Sequence, residues 1–292
     1  MESIRKLKKQ ILTEELKRRR RTRSKWPLVI LALVLLAALG GGAWYHYNQE
    51  NFALRKFQRA QELLVEKNYA EAARLFETLG KKHPDFPHAD EALFRVGELQ
   101  HLYLRKDQEA LLTFLLVEKN YPESPFSLRA QQLAADIYMD RLEDYSRAVV
   151  AYQKLIDQGV VDSDQLQYRI AEAYFRLNNF EQARIEWQTL LQLFPESPLV
   201  PEVAYRVAVC WALEGDHQQA AEDFQAVHAA WPEHPYGLEA RFGLASLLEE
   251  QEHLLEALDL LLELRDRYPR PEVLEQRIEQ VKERIDKKQD AI

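Results

Sequence analysis

The sequence predicts an all-α protein, an α-solenoid of about six helix hairpins preceded by one transmembrane helix, and three observations carry that prediction. Leu, Ala, Glu, Gln and Arg recur throughout while only 9 of 292 residues are Gly, a composition that favours helix over sheet. A small residue returns every 36 to 38 positions between Ala60 and Ala245, the self-similarity of stacked supersecondary units. Residues 27–43 read PLVILALVLLAALGGGA without a single charge.

Residues 1–25 form a basic segment. Eleven Lys or Arg stand against Glu2, Glu14 and Glu15, a balance of +8. Ile4, Leu7, Ile11, Leu12 and Leu16 recur among the lysines at helical spacing, which suits an amphipathic helix lying on anionic lipid. A solvated tail is the other reading.

The apolar segment follows at 26–47. Trp26 precedes the run, and Trp44, Tyr45 and Tyr47 follow it, placing aromatic rings where a membrane has its two interfaces. Counted from Trp26 to Tyr47 the segment reaches the about 20 residues that a hydrocarbon core requires. The basic cluster lies wholly on the N-terminal side, so the positive-inside bias keeps residues 1–25 in the cytoplasm and sends the remainder across. The core Leu28–Leu39 is short, however, and Gly41-Gly42-Ala43 suits a cleavage site, so a cleaved signal peptide is the competing reading.

From 48 to 270 the chain repeats. On the second helix of each unit an Ala is followed four residues on by a bulky residue and seven on by an apolar one: Ala72/Phe76/Leu79, Ala110/Phe114/Val117, Ala148/Tyr152/Leu155, Ala183/Trp187/Leu190, Ala220/Phe224/Val227 and Ala257/Leu261/Leu264. These offsets fall on one helical face. The first helix carries a small residue where two helices approach closely (Ala60, Gly97, Ala135, Ala171, Ala208, Ala245), followed by a packing residue three positions later. At that packing position Gln100 is the polar exception, a weak point that allows a one-residue slip of register in the second unit. Paired prolines punctuate the joints, as in Pro122-Glu123-Ser124-Pro125 and Pro195-Glu196-Ser197-Pro198. The first Pro ends a helix, the Ser caps the next, and the second Pro occupies a first turn that tolerates it. The third unit breaks the pattern with Gln158-Gly159-Val160-Val161-Asp162-Ser163. Residues 271–292 read as a charged capping helix with Val273, Leu274, Ile278, Val281 and Ile285 on one face.

A small residue on the first helix, an Ala twelve later and a Pro twelve after that, as in Ala60/Ala72/Pro84, Ala171/Ala183/Pro195, Ala208/Ala220/Pro232 and Ala245/Ala257/Pro269, resemble the tetratricopeptide repeat (TPR) motif. The Pro-x-Ser-Pro joints and the unit of about 37 residues resemble the bacterial envelope type, found in membrane-anchored periplasmic TPR proteins, the Tol-Pal-associated cell-division coordinator and the β-barrel assembly lipoprotein. No cysteine follows the apolar run, so lipoprotein acylation is excluded. The resemblance implies a non-enzymatic binding protein without cofactor.

The residues themselves offer no catalytic pattern: there is no Gly-x-Ser-x-Gly elbow, phosphate loop or His-Glu-x-x-His pair. His83, His88, His228 and His234 sit at the proline joints, where solvated loop residues are expected. Cys210, the only cysteine, suits a small packing slot. From residue 26 onward 28 basic residues face 44 acidic ones, a balance of −16, which repels phosphate backbones and disfavours nucleic acid as a partner.

The candidate protein-binding residues form an aromatic ladder three positions before the small residue of each first helix: Phe57, Phe94, Tyr168, Tyr205 and Phe242, with Gln132 breaking it in the third unit. In a TPR array that position tends toward the concave face, where extended segments dock. Such rings also serve as mortar between units. Glu172, Arg176, Arg129, Asp136 and Glu249 are the charges expected nearby. The expected function is a scaffold for protein or peptide segments, anchored in a bacterial inner membrane with its array in the periplasm and acting in envelope assembly, secretion or division. A holdase for translocated clients and a secreted form with a cleaved leader are the alternatives. A mitochondrial import receptor requires the opposite topology, which the basic flank disfavours.

Overall fold

The computed structural model describes residues 2–21, 26–159 and 163–290. Readings on Arg23 and Lys25, on the middle of the Gln158–Ser163 joint and on the last two residues fall outside that description, as do the side chains of Arg19–Arg21, Pro27, Ala43, Tyr45 and Tyr47. The described residues form fourteen α-helices and divide into two units, Met1–Ala89 and Asp90–Ile292.

The first unit holds α1 (Glu2–Arg21), α2 (Trp26–Val65) and α3 (Tyr69–Lys82). On α1 the side chains of Ile4, Leu7, Ile11, Leu12 and Leu16 are each more than half exposed. The 40 residues of α2, about 60 Å at 1.5 Å per residue, join the apolar run to the first repeat in one helix that Gly40–Gly42 do not interrupt. Among the described residues no helix is long and apolar enough to cross a membrane. The transmembrane helix expected over 26–47 is therefore not found as a separate element. At its far end α2 packs on α3: Ala60 and Ala72 are fully buried at the crossing, with Leu63, Phe76 and Leu79 around them.

The second unit continues with α4 (Ala89–Leu102, its first residue in the other unit), α5 (Asp107–Asn120), α6 (Pro125–Asp140), α7 (Tyr145–Asp157), α8 (Ser163–Arg176), α9 (Phe180–Leu193), α10 (Val200–Glu214), α11 (His217–Ala230), α12 (Pro235–Glu250), α13 (Leu254–Glu263) and α14 (Pro271–Asp290). Each hairpin closes over a pair of small residues. Ala135/Ala148, Ala171/Ala183, Ala208/Ala220 and Ala245/Ala257 are all at zero exposure, and the bulky residue one turn after each second Ala fills the space between helices. Trp187, Tyr152 and Phe114 are among the largest fully buried side chains, each worth about 1.5–3 kcal/mol in removal from water. The second repeat keeps this register: a Cβ on Gly97 would lie 2.5 Å from the Phe114 ring. Its polar exception is also explained, because Gln100 Oε1 accepts the Thr113 hydroxyl at 2.8 Å.

The turns inside the hairpins share a feature that the sequence conceals. Lys67, Arg105, Glu143, Asn178, Gly215 and Glu252, one per hairpin, all have positive φ, between 52° and 87°. Only Gly adopts this conformation without cost. Asp144, Asn179 and Asp216 then cap the following helix by accepting the N–H three residues on.

The joints between hairpins are stapled. Ser124 Oγ accepts the Phe126 N–H and donates to Asp90 Oδ2 at 2.6 Å. Ser197 repeats both bonds with Leu199 and Asp164. In the third repeat, which lacks the first Pro, Gly159 at φ 74° follows the end of α7. The sixth hairpin departs from expectation: α13 stops at Glu263, well before Pro269. The chain turns there through Asp266 at φ 70° and places Tyr268 against Phe242, with ring centroids 5.0 Å apart.

Candidate protein-binding face

The ladder positions lie on the first helices of the hairpins, and their rings are engaged by neighbours. In the first unit Phe57 is 5% exposed, in an edge contact with Phe76 and stacked on His88. In the second unit Phe94 is 4% exposed, between Phe114 and Phe126. Tyr168, Tyr205 and Phe242 are half-buried. Tyr205 lies between Phe224 and Tyr236. Tyr168 packs near Trp187 and donates its hydroxyl to Glu202 Oε1 at 2.7 Å. In the second unit these residues tie their hairpins to the joint or hairpin that follows, and only the three half-buried ones also present an edge outward.

Where Gln132 replaces the ring, a cavity of about 610 Å³ opens. Gln132, Leu133, Asp136 and Asp140 of α6 form one wall, and Gln165, Leu166, Tyr168 and Arg169 of α8 the other, with Tyr152, Asp164, Pro198 and Leu199 also lining it. Gln132 is held aside by Arg129, whose Nη1 donates to its Oε1 at 2.9 Å.

Arg169 dominates the electrostatics of this face. Its guanidinium donates to Asp140, to Glu172 at 3.1 Å and to the Tyr152 hydroxyl at 3.2 Å, and Tyr152 in turn donates to Asp136 at 2.7 Å. Burial alone would weaken the charged guanidinium, but Tyr152 and Asp140 outweigh it and raise its pKa. Burial, followed by the Asp136 charge, pushes the Tyr152 phenol upward, so it stays protonated. Glu172 thus orients Arg169, while Arg176 is a surface charge, its side chain 58% exposed and 3.8 Å from Glu172.

One repeat further on, Arg206 bonds Glu202 at 2.7 Å and lies over the rings of Tyr168 and Trp187. Sequence reasoning passed over Arg169 and Arg206. The available signal was an Arg directly after the ladder ring, as in Phe94-Arg95, Tyr168-Arg169 and Tyr205-Arg206.

Glu249 does not belong to this face. It is 3% exposed beneath α14, paired with Arg277 at 2.7 Å and Arg284 at 3.3 Å. Leu274, Ile278 and Val281 of α14 are buried alongside in the same terminal core.

The remaining candidates have packing roles. Cys210 is fully buried among Ala183, Trp187 and Val203, and burial, with Glu214 adding, pushes its thiol up to about 12. His234 caps α12 by accepting the Tyr236 N–H. His228 Nδ1 lies 3.0 Å from the Gly237 carbonyl, which can only accept, so Nδ1 carries the proton there. Burial, then Lys56 and Lys82, lower the pKa of His83. Among the described residues no three His, Cys, Asp or Glu side chains converge as metal ligands would.

Comparisons with known proteins agree with this geometry. A search of curated protein sequences found no match. Among solved structures, a tetratricopeptide repeat protein from Parabacteroides merdae is 15% identical with a TM-score of 0.52, covering 79% of this chain and 86% of its own. The C-terminal part of a TPR repeat-containing protein from Cytophaga hutchinsonii is 18% identical with a TM-score of 0.52, over 71% and 77%. YrrB, described as a TPR protein with an unusual peptide-binding site, is 18% identical with a TM-score of 0.49, over 70% and 97%. At these identities the likeness concerns the fold alone. The tetratricopeptide repeat model itself matches residues 57–125, 133–198, 168–235 and 214–270, the stretches whose buried small residues and aromatic fillers build the hairpins. Members of that family are typically non-enzymatic scaffolds for protein–protein interaction, and this chain belongs to the tetratricopeptide repeat family.

Proposed function

We propose that the chain is a membrane-tethered TPR scaffold that holds a segment of another protein during assembly, secretion or division of a bacterial envelope. The observation that carries this reading is the order of its parts. A segment with eleven basic residues precedes an uncharged apolar run, and an acidic repeat array follows it. The positive-inside bias then orients the chain with residues 1–25 in the cytoplasm and the array in the periplasm of the inner membrane. The exposed apolar side chains of α1, set among lysines, suit contact with anionic lipid beside the tether. The Pro-x-Ser-Pro joints supply the resemblance to envelope TPR proteins.

Two measurements test the proposal. Carbonate extraction should leave the full chain in the membrane fraction, and externally added protease should digest the array in spheroplasts but not in intact cells. A soluble protein, or an array protected in spheroplasts, would end this reading. The run of small residues Gly41-Gly42-Ala43 favours a second form, secreted after cleavage. An N-terminus beginning near residue 44 would establish it.

A further inference from the structure

We infer that the gap in the aromatic ladder at Gln132 is a side-chain pocket for one Lys or Arg of an extended partner segment. This rests on the protein-binding reading and goes beyond it by naming the position and the chemistry.

The first ground is shape. Phe94, Tyr205 and Phe242 each stack or pack on a ring carried by the following joint or hairpin, Phe126, Tyr236 and Tyr268 respectively. At Gln132 the ring is missing, and the space it would take is continuous with a cavity of about 610 Å³ that α6 and α8 leave open between them.

Charge is the second ground. Three carboxylates line the cavity, Asp136, Asp140 and Asp164, against Arg141, Arg169 and His101, the last engaged with Asp107. Arg169 is already committed, with Asp140, Glu172 and the Tyr152 hydroxyl accepting from it. It therefore neutralises its own acceptors and leaves little for an incoming anion. Among the described residues Asp136 accepts a hydrogen bond only from the Tyr152 hydroxyl, with Arg169 at 3.9 Å, and Asp164 accepts from Ser197 and from the Gln165 N–H at its own helix start. Each carboxylate has further lone pairs to offer. Leu133, Leu166 and Leu199 also line the cavity, together with Tyr168. An aliphatic stem ending in a cation matches such a site, stem on the leucines and charge at the acids. The −16 balance of the chain beyond residue 25 draws a cationic segment toward it.

The test uses full-length protein in detergent over an array of random-sequence dodecapeptides, reading which residue type is enriched. Arg and Lys should be enriched at one position. Gln132→Phe, which refills the ladder, should abolish that enrichment while other captured sequences persist. Asp136→Asn, which keeps the acceptor for Tyr152, should weaken the basic peptides at least tenfold and protects the test against a Gln132→Phe protein that fails to fold. Capture with no basic preference, or a preference untouched by both variants, would overturn the pocket and leave the scaffold reading standing. Capture of no peptide at all would overturn both.

Discussion

The Tyr168 hydroxyl donates to Glu202 Oε1 at 2.7 Å, tying α8 to α10 across a joint between repeats. Arg206 bonds the same carboxylate. Burial pushes the Glu202 pKa up, but the bonds from Tyr168, Arg206 and Tyr236 outweigh it and leave the group below its ordinary 4.5. A depressed carboxylate stabilises the fold above about 4.5, and its contribution fades as pH falls through the folded value. Glu202→Gln should therefore cost about 1–2 kcal/mol at neutral pH. The difference from wild type should shrink below pH 4.5, as followed by urea unfolding at several pH values.

Glu249 is the latch of the C-terminal helix. Its loss leaves Arg277 without its carboxylate, while Arg284 keeps Glu252 at 2.8 Å and the Glu249 backbone carbonyl; both side chains reach solvent, 36% and 40% exposed. Glu249→Ala should cost about 1–3 kcal/mol and raise hydrogen exchange in α14 before the rest of the second unit. Uniform exchange along the chain would show that the cap does not depend on this pair.

Overpacking should betray the helix crossings. Ala183→Leu enlarges a fully buried position in the same core as Trp187, and Gly97→Ala drives a methyl into the buried Phe114 ring. Each should cost about 1–3 kcal/mol, read as a lower melting midpoint, whereas Val150→Leu, at a position 69% exposed, should melt like wild type.

The positive-φ turns offer a gain. Glu143 sits at φ 52° where Gly215 shows what the turn prefers, and a non-Gly residue is strained there. Glu143→Gly should stabilise by about 0.5–1 kcal/mol after the entropy of the freer unfolded chain is subtracted. A lower urea midpoint would mean that its side chain contributes more than its backbone costs.

The hairpins were readable because their determinants are local. A small residue, an Ala twelve or thirteen later and an aromatic four beyond it each have one role, and each is buried where the spacing put it. The ladder was only half readable: its positions follow from the repeat, but whether a ring is sealed like Phe94 or half-open like Tyr205 depends on the joint that packs over it. Glu249 misled because nothing along α12 signals that α14 folds back over that face. The turn strain was invisible, since Lys67, Arg105 and Glu143 are ordinary surface residues whose backbone conformation is imposed by the helices they connect. The continuity of α2 through Gly40–Gly42 was hidden for a similar reason, as glycine weakens a helix without obliging it to end.

Helix α14 has one more effect. A stack of like units is in principle unbounded, because the surface that receives the next hairpin is the same at every step, so an uncovered last unit would accept a second molecule as readily as its own chain. By burying Leu274, Ile278 and Val281 inward while Glu279, Lys282 and Glu283 face water, α14 removes that template. In the second unit α14 thus occupies the face on which a further hairpin would stack, and it does so with a surface that offers no such face of its own.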